Sequence, residues 1–267
     1  MNLKRTLAAG ALACILTVGS ASAVSLTIAG ETITPTIQTL LIQDTTYVPL
    51  RAVAQKLDPD AQITWKSGTA YVSSDVLNLT ARVGDSWLEA NDRCFYVENG
   101  IRLINGSVMV PVRALAAAMG GTVAWDAATR SVHVSAGSGA PAAAPYEEDA
   151  LYWLSRIISA ESQGEPMAGK LAVGTVVLNR VASKEFPNTI YGVIFDDQWG
   201  IQFTPVSNGT IYREPTEESV KAAKLCLEGA RVAGNSLYFL DPGQSTNHWA
   251  MNNRTYVTTI GKHWFYA

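Results

Sequence analysis

The chain has 267 residues, 48% of them apolar and 16% charged, so it is long enough for two ordinary domains and too apolar for a disordered chain. Setting aside Lys4 and Arg5, which fall in a leader-like segment, leaves 18 basic against 23 acidic residues, a net −5 that argues against a broad basic nucleic-acid face and a polybasic membrane patch. Three cysteines, 21 glycines and 11 prolines exclude a disulfide scaffold and a collagen-like or low-complexity chain.

Residues 1–23 follow the plan of a secretory signal peptide. Lys4 and Arg5 open it, Leu7 to Val18 is an uncharged run, and Ala21-Ser22-Ala23 is an A-x-A cleavage site. The run is shorter than the roughly 20 apolar residues a membrane span needs, and no later stretch is long enough either. The expectation is a mature chain beginning near Val24, outside the cytoplasm. It keeps Cys94 and Cys226, which fall in different domains and are expected as two buried thiols.

Residues 45–74 and 107–136 form an internal repeat. Val48-Pro49-Leu50-Arg51-Ala52 matches Val110-Pro111-Val112-Arg113-Ala114, Trp65 matches Trp125, and Val72 matches Val132. Each copy predicts a short strand ended by its proline and a helix carrying Ala52, Val53 and Leu57 or Ala114, Leu115 and Met119. A hairpin through the Trp follows. Both tryptophans are expected in the core. The segment from about 26 to 135 resembles the copper-amine-oxidase-N-terminal-like, or stalk, domain of secreted bacterial envelope proteins. The resemblance implies a spacer or wall-binding module, with an envelope or spore-coat protein as a candidate partner. No copper is expected, because a copper site wants several nitrogen ligands and His133 is the only histidine in this half.

Residues 136–148 open with AGSGAPAAAP, small residues and prolines that cannot build a core. They read as a linker between a stalk at 24–135 and a second domain at 149–267.

In the second domain Tyr152, Leu154, Ile157 and Ile158 recur at helical spacing and predict a helix ending near Gln163-Gly164. Glu161 then lies in its last turn, where the negative end of the helix dipole and an apolar surround both raise a carboxyl pKa. A carboxyl that holds its proton near neutral pH can act as a general acid. Glu165 is expected to serve the turn that follows. Gly169 to Ala182 is apolar almost all round and predicts a buried helix. Thr216 is placed to cap a helix over Glu217 to Arg231. Leu237 to Leu240 reads as a strand turned by Asp241-Pro242-Gly243, with Tyr256 to Ile260 as its partner.

This half, from about 150 to 267, resembles the SleB/CwlJ-type cell wall hydrolases, the spore cortex-lytic enzyme family. The resemblance rests on AESQGEP, GKLAVGTVVLNRV, FPNTIYGVI, QFTPVSNG, LYF, TNHW and IGKHWF, which occur in the family's order. It implies an α+β, lysozyme- or lytic-transglycosylase-like catalytic domain behind the small duplicated α+β stalk, acting on peptidoglycan of the cell wall or, during germination, of the spore cortex. No cofactor is implied, and no H-E-x-x-H or paired-His motif supports a metal. The family's catalytic glutamate falls on Glu161. Gln202, Phe203, Tyr238 and Trp249 are candidates to line the glycan groove, and Asn179 and Asn247 to bond N-acetyl groups. His263 is expected to be structural.

One carboxylate suffices for a transglycosylase, in which the C6 hydroxyl of N-acetylmuramic acid takes the place of water and leaves a 1,6-anhydro end. A hydrolase needs a second carboxylate roughly 5–9.5 Å away, and Glu165, Glu185, Asp196, Asp197 and Asp241 are available. Two other classes stay open: a non-catalytic envelope-binding protein, and a wall peptidase or amidase. For a peptidase, Cys226 is the only thiol in this half, and no G-x-S-x-G motif is present.

Overall fold

The computed structural model describes residues 25–33, 37–198, 200–246 and 248–267. The predicted signal peptide lies outside the described residues. The stalk begins with strands β1 (Ser25–Ile28), β2 (Glu31–Thr32), β3 (Leu40–Ile42) and β4 (Thr45–Pro49), helix α1 (Leu50–Leu57) and hairpin β5 (Gln62–Lys66) and β6 (Thr69–Ser73). It continues with β7 (Asn78–Arg82), β8 (Trp87–Ala90), β9 (Arg93–Tyr96), β10 (Arg102–Ile104) and β11 (Ser107–Pro111). Helix α2 (Val112–Ala118), β12 (Thr122–Asp126) and β13 (Ser131–Ser135) complete it.

The two copies of the repeat meet strand to strand. β4 and β11 are antiparallel, with Val48 opposite Val110 and Pro111 opposite Tyr47. Pro49 and Pro111 each end a strand and stand immediately before a helix, at φ −64° and −58°. A proline cannot donate to a sheet ladder, yet its fixed φ suits a helix start. Leu50 and Val53 of α1 and Val112 and Leu115 of α2 are buried with Leu26, Tyr47, Leu79 and Leu88 in the stalk core. β1 closes in parallel on β13, Leu26 opposite Val132, so the first and last strands share the sheet β12-β13-β1-β2.

The tryptophans depart from expectation: Trp65 and Trp125 are each 48% exposed. They sit opposite the buried Ala70 and Val132, and so on the core-side face. However, β5 and β12 are edge strands, and the rings overhang the rim of the core instead of entering it.

Residues 136–147 form no helix or strand, but they are pinned. Arg93 Nη1 donates to the carbonyls of Ala142 (2.8 Å) and Ala143 (3.3 Å). A Cβ at Gly120 would collide with Ser138 and Ala140, so the glycine that ends α2 also lets the linker lie close.

The second half contains α3 (Glu148–Ser162), α4 (Met167–Ala182), α5 (Ile190–Ile194), α6 (Thr204–Ser207), a 3-10 turn at Thr210–Tyr212 and α7 (Glu217–Leu227). It ends with β14 (Tyr238–Leu240), α8 (Trp249–Asn253), β15 (Tyr256–Ile260) and β16 (His263–Tyr266). Together the two halves give the expected α+β architecture. α4 is the central helix. Leu171, Val173 and Val177 pack with α3 and α7, while Ala172 and Val176 pack with Phe265 of the sheet. This explains why its sequence is apolar on every side.

Two expectations are corrected. Thr216 does cap α7, its Oγ1 accepting from Ser219 N at 3.2 Å, but the helix stops at Leu227, because Gly229 adopts φ +104° and turns the chain away before Arg231. Further, β14 pairs with β16, Phe239 opposite Phe265, and not with β15. The order is β14-β16-β15: β15 and β16 form a hairpin, and the strand carrying the buried Phe265 takes the central place over α4.

The β8–β9 hairpin of the stalk packs on α7, and Trp87, Cys94 and Tyr96 join the core of the second half. Arg93 forks onto Glu228 with bonds of 2.7 and 2.6 Å, Lys221 pairs with Glu89 at 2.8 Å, and Lys224 Nζ donates to Asp92 O at 2.7 Å. Cys94 and Cys226 are free and buried, as expected. No described helix is long and apolar enough to cross a membrane.

Candidate active site

The last turn of α3 is held from below by Lys170, which is almost fully buried. Its Nζ donates to Gln163 O at 3.3 Å and to Glu165 O, and it pairs with Glu218 at 3.2 Å. A cation under the free carbonyls of a helix end offsets the negative pole there. Glu165 is buried, and its Oε2 accepts the Lys262 N–H at 3.2 Å. Gly261, at φ +59°, leaves room for that carboxylate, because a Cβ there would strike it. Glu165 thus ties the α3–α4 turn to the β15–β16 turn, the turn-serving role read from the sequence.

Beside these turns opens a cleft of about 1480 Å³. Glu161, in the last turn of α3, lines it together with Gln202, Phe203, Tyr238 and Trp249. Burial lifts the Glu161 carboxyl to about 7, while the charge of Arg180 pulls it the other way. Of the two causes expected from sequence, the low-polarity surround is the dominant one. Glu161 thus lies on the cleft wall with its carboxyl pushed up toward neutral pH.

The other candidates divide. Phe203 is buried in the cleft wall, and Gln202 donates to Gly200 O at 2.9 Å. The Tyr238 ring lies between two guanidinium groups, Arg254 at 4.9 Å and Arg180 at 5.4 Å, and its hydroxyl accepts from Arg254 Nη2 at 3.1 Å. Trp249 stands edge-on to Tyr238 with 47% of its surface exposed at the trench wall. Asn179 is not in the cleft: its Nδ2 donates to Gly234 O (2.9 Å) and Ser236 O (3.0 Å), so the amide fastens α4 to the segment leading into β14. That corrects its assignment as a substrate ligand. Asn247 lies outside the described residues.

Of the candidate second carboxylates, Glu165, Glu185, Asp196 and Asp241 line the cleft and Asp197 does not. Asp241 is engaged in its own turn, accepting from Gly243 N (2.8 Å) and Gln244 Nε2 (2.9 Å). His263 borders the cleft but packs edge-on against Phe239, and burial lowers its pKa. Cys226 is buried inside α7, and burial pushes its thiol up to about 12, which makes it a poor nucleophile. Among the described residues no three His, Cys, Asp or Glu side chains form a metal-binding group.

Sequence reasoning missed Arg180 and Arg254, which both border the cleft. The available signal for Arg180 was a charge near the end of an otherwise apolar helix.

Residues 164–266 match the family described as Cell Wall Hydrolase, a match that begins just after Glu161, and residues 27–134 match the copper amine oxidase N-terminal domain. A spore cortex-lytic enzyme of Bacillus cereus is 39% identical over 120 residues, 45% of this chain and 45% of the relative. The chain thus spans less than half the length of such relatives. The cell wall hydrolase CwlJ of Oceanobacillus iheyensis is 31% identical over 121 residues, 43% of this chain and 83% of the relative. The solved catalytic domain of the germination-specific lytic transglycosylase SleB from Bacillus anthracis is 38% identical. It covers 46% of this chain and 98% of its own, with a TM-score of 0.43. With most of the length of a CwlJ-type relative matched, the chain belongs to the cell wall hydrolase family.

Proposed function

We propose that the protein is a secreted enzyme that cuts the glycan strand of peptidoglycan between N-acetylmuramic acid and N-acetylglucosamine as a lytic transglycosylase. The observation that carries this reading is a partly buried glutamic acid, lifted to about 7, on the wall of a cleft of about 1480 Å³ that also bears Phe203, Tyr238 and Trp249. Glu161 gives its proton to the glycosidic oxygen as the C1–O bond breaks. The C6 hydroxyl of the same muramic residue then bonds to C1 and returns its proton to Glu161. No water is consumed, and the carboxyl ends as it began. Proximity of the C6 hydroxyl replaces an activated water and a second carboxylate. Trp249, half-exposed at the cleft wall, gives a sugar ring an apolar surface, while Gln202, Phe203 and Tyr238 shape the wall.

The names of the relatives, spore cortex-lytic enzymes and CwlJ, support a target in the cell envelope, with spore cortex during germination as the natural one. The stalk, fixed to α7 by Arg93 and Lys221, would set the catalytic half at a constant distance from an envelope or spore-coat partner. The test is digestion of purified cortex and vegetative peptidoglycan by the chain from Val24, with mass spectrometry of the fragments. Anhydromuramoyl ends support the reading. Reducing ends would assign hydrolysis with a second cleft carboxylate, and released peptides would revive the peptidase.

A further inference from the structure

Arg180 occupies an expensive position. It sits in the last turn of α4 and is almost completely buried. Its guanidinium lies 4.8 Å from the Phe186 ring centre, 5.1 Å from that of Phe203 and 5.4 Å from that of Tyr238. Nε donates to Leu237 O at 2.7 Å, but Nη1 is buried without a hydrogen-bond partner. A buried cation with an unmade hydrogen bond costs several kcal/mol unless something nearby repays it. The aromatic rings return about 1–2 kcal/mol each at best, and the carbonyl bond satisfies one donor without adding a counter-charge.

Glu161 lines the same cleft and feels this charge. Once Glu161 has given its proton away it is an anion in a poorly solvated place. The neighbouring turns offer little help. Glu165 and Asp196 are acidic, and His263 is held neutral by burial. Arg254 is drawn to Tyr238 and Trp249, while Lys184, Glu185, Asp241 and Lys262 also line the cleft. Arg180 is the charge that acts on the Glu161 carboxyl, and Tyr238, Asp196 and Glu161 act in turn on Arg180.

We propose that Arg180 is the positioning residue of the proton relay: its caged guanidinium stabilises the carboxylate left on Glu161 after donation, so that one side chain serves as acid in the first half of the reaction and as base in the second. This rests on the proposed role of Glu161, and it adds a residue that acts through Glu161 without touching the reacting atoms. The cage of three rings and one carbonyl prevents the guanidinium from swinging in to form a closed ion pair, which would hold Glu161 ionised and empty of its proton.

The experiment is an NMR titration of the full chain labelled with carboxyl-¹³C glutamate, the Glu161 signal being identified by its loss in Glu161→Gln. Arg180→Met is expected to raise the Glu161 midpoint by about one pH unit, a tenfold change in its ionisation constant. Arg180→Lys, which keeps the charge, is expected to restore most of the shift. Arg180→Gln, shorter and polar, is the second neutral variant should Met fail to fold, with the same rise expected. In turnover assays the alkaline limb of the rate profile moves with the midpoint while KM is unchanged. A residue with only a structural role would lower the melting temperature and move neither titration. An unmoved midpoint in a folded protein whose glycan cutting needs Glu161 would overturn the role of Arg180 alone. A moved midpoint in a protein that cuts no glycan would overturn the relay together with the reading on which it rests.

Discussion

Replacing Glu161 by glutamine should make the protein more stable, but only at neutral and alkaline pH. Burial raises the carboxyl from 4.5 to about 7 in the folded chain. A carboxyl with a raised folded pKa destabilises the fold wherever the unfolded chain would ionise it and the folded chain resists. The penalty is absent below about pH 4, grows between 4.5 and 7, and is complete above 7. A shift of that size corresponds to about 3 kcal/mol at 1.36 kcal/mol per unit, and Glu161 is only partly buried, so about 2–3 kcal/mol is expected. Glutamine has nearly the same shape and no charge to desolvate. The assay is urea unfolding of both proteins at pH 4 and pH 8, in which the difference between the two isolates residue 161 from every group that titrates in both. Equal stability at pH 4 and a 2–3 kcal/mol advantage for Glu161→Gln at pH 8 are expected. A difference that does not change with pH, or a less stable variant at pH 8, would refute the account of Glu161 as a desolvated acid.

Removing the Asn179 amide leaves the carbonyls of Gly234 and Ser236 without their donor, so Asn179→Ala should lower stability by about 1–3 kcal/mol in a thermal melt. Glycan KM should be unchanged, since the side chain is not in the cleft. Trp249→Ala should do the reverse, raising KM for a soluble glycan by up to about tenfold through lost ring stacking, with little change in melting temperature. Arg93→Ala removes the fork to Glu228 and the bonds to Ala142 and Ala143, a loss of about 2 kcal/mol. Limited proteolysis should then cleave within residues 136–147 faster than in the parent protein.

The repeat was legible because its chemistry is local. A proline that closes a strand and opens a helix needs no tertiary information, and both copies behave alike. The tryptophans were misjudged because alternation assigns a face and not a place within the sheet: Trp65 and Trp125 have the core-side face, but on edge strands. The partner of β14 was misjudged for a related reason. Both β15 and β16 read as strands, and only the packing of Phe265 against α4 decides which is central. At the site, Glu161 stood out only through the family motif around it, because a glutamate at a helix end is more often solvated surface. Asn179 and Arg180 are adjacent on α4 and both donate to the backbone before β14, Asn179 to Gly234 O and Ser236 O and Arg180 to Leu237 O, but of the two only Arg180 also lines the cleft. The amide of Asn179 suggested an N-acetyl partner, whereas Arg180 drew no expectation from the sequence.

The proton on Glu161 is the centre of the account, and glycan release is its most direct measure. Purified peptidoglycan is incubated at pH 7 with the parent protein and with Glu161→Gln, and soluble glycan is followed over time. The variant is expected to sediment with the insoluble wall still, while its rate falls by about 10²–10⁴-fold, the range for loss of a general acid. A folded Glu161→Gln protein that releases glycan at the parent rate would contradict it.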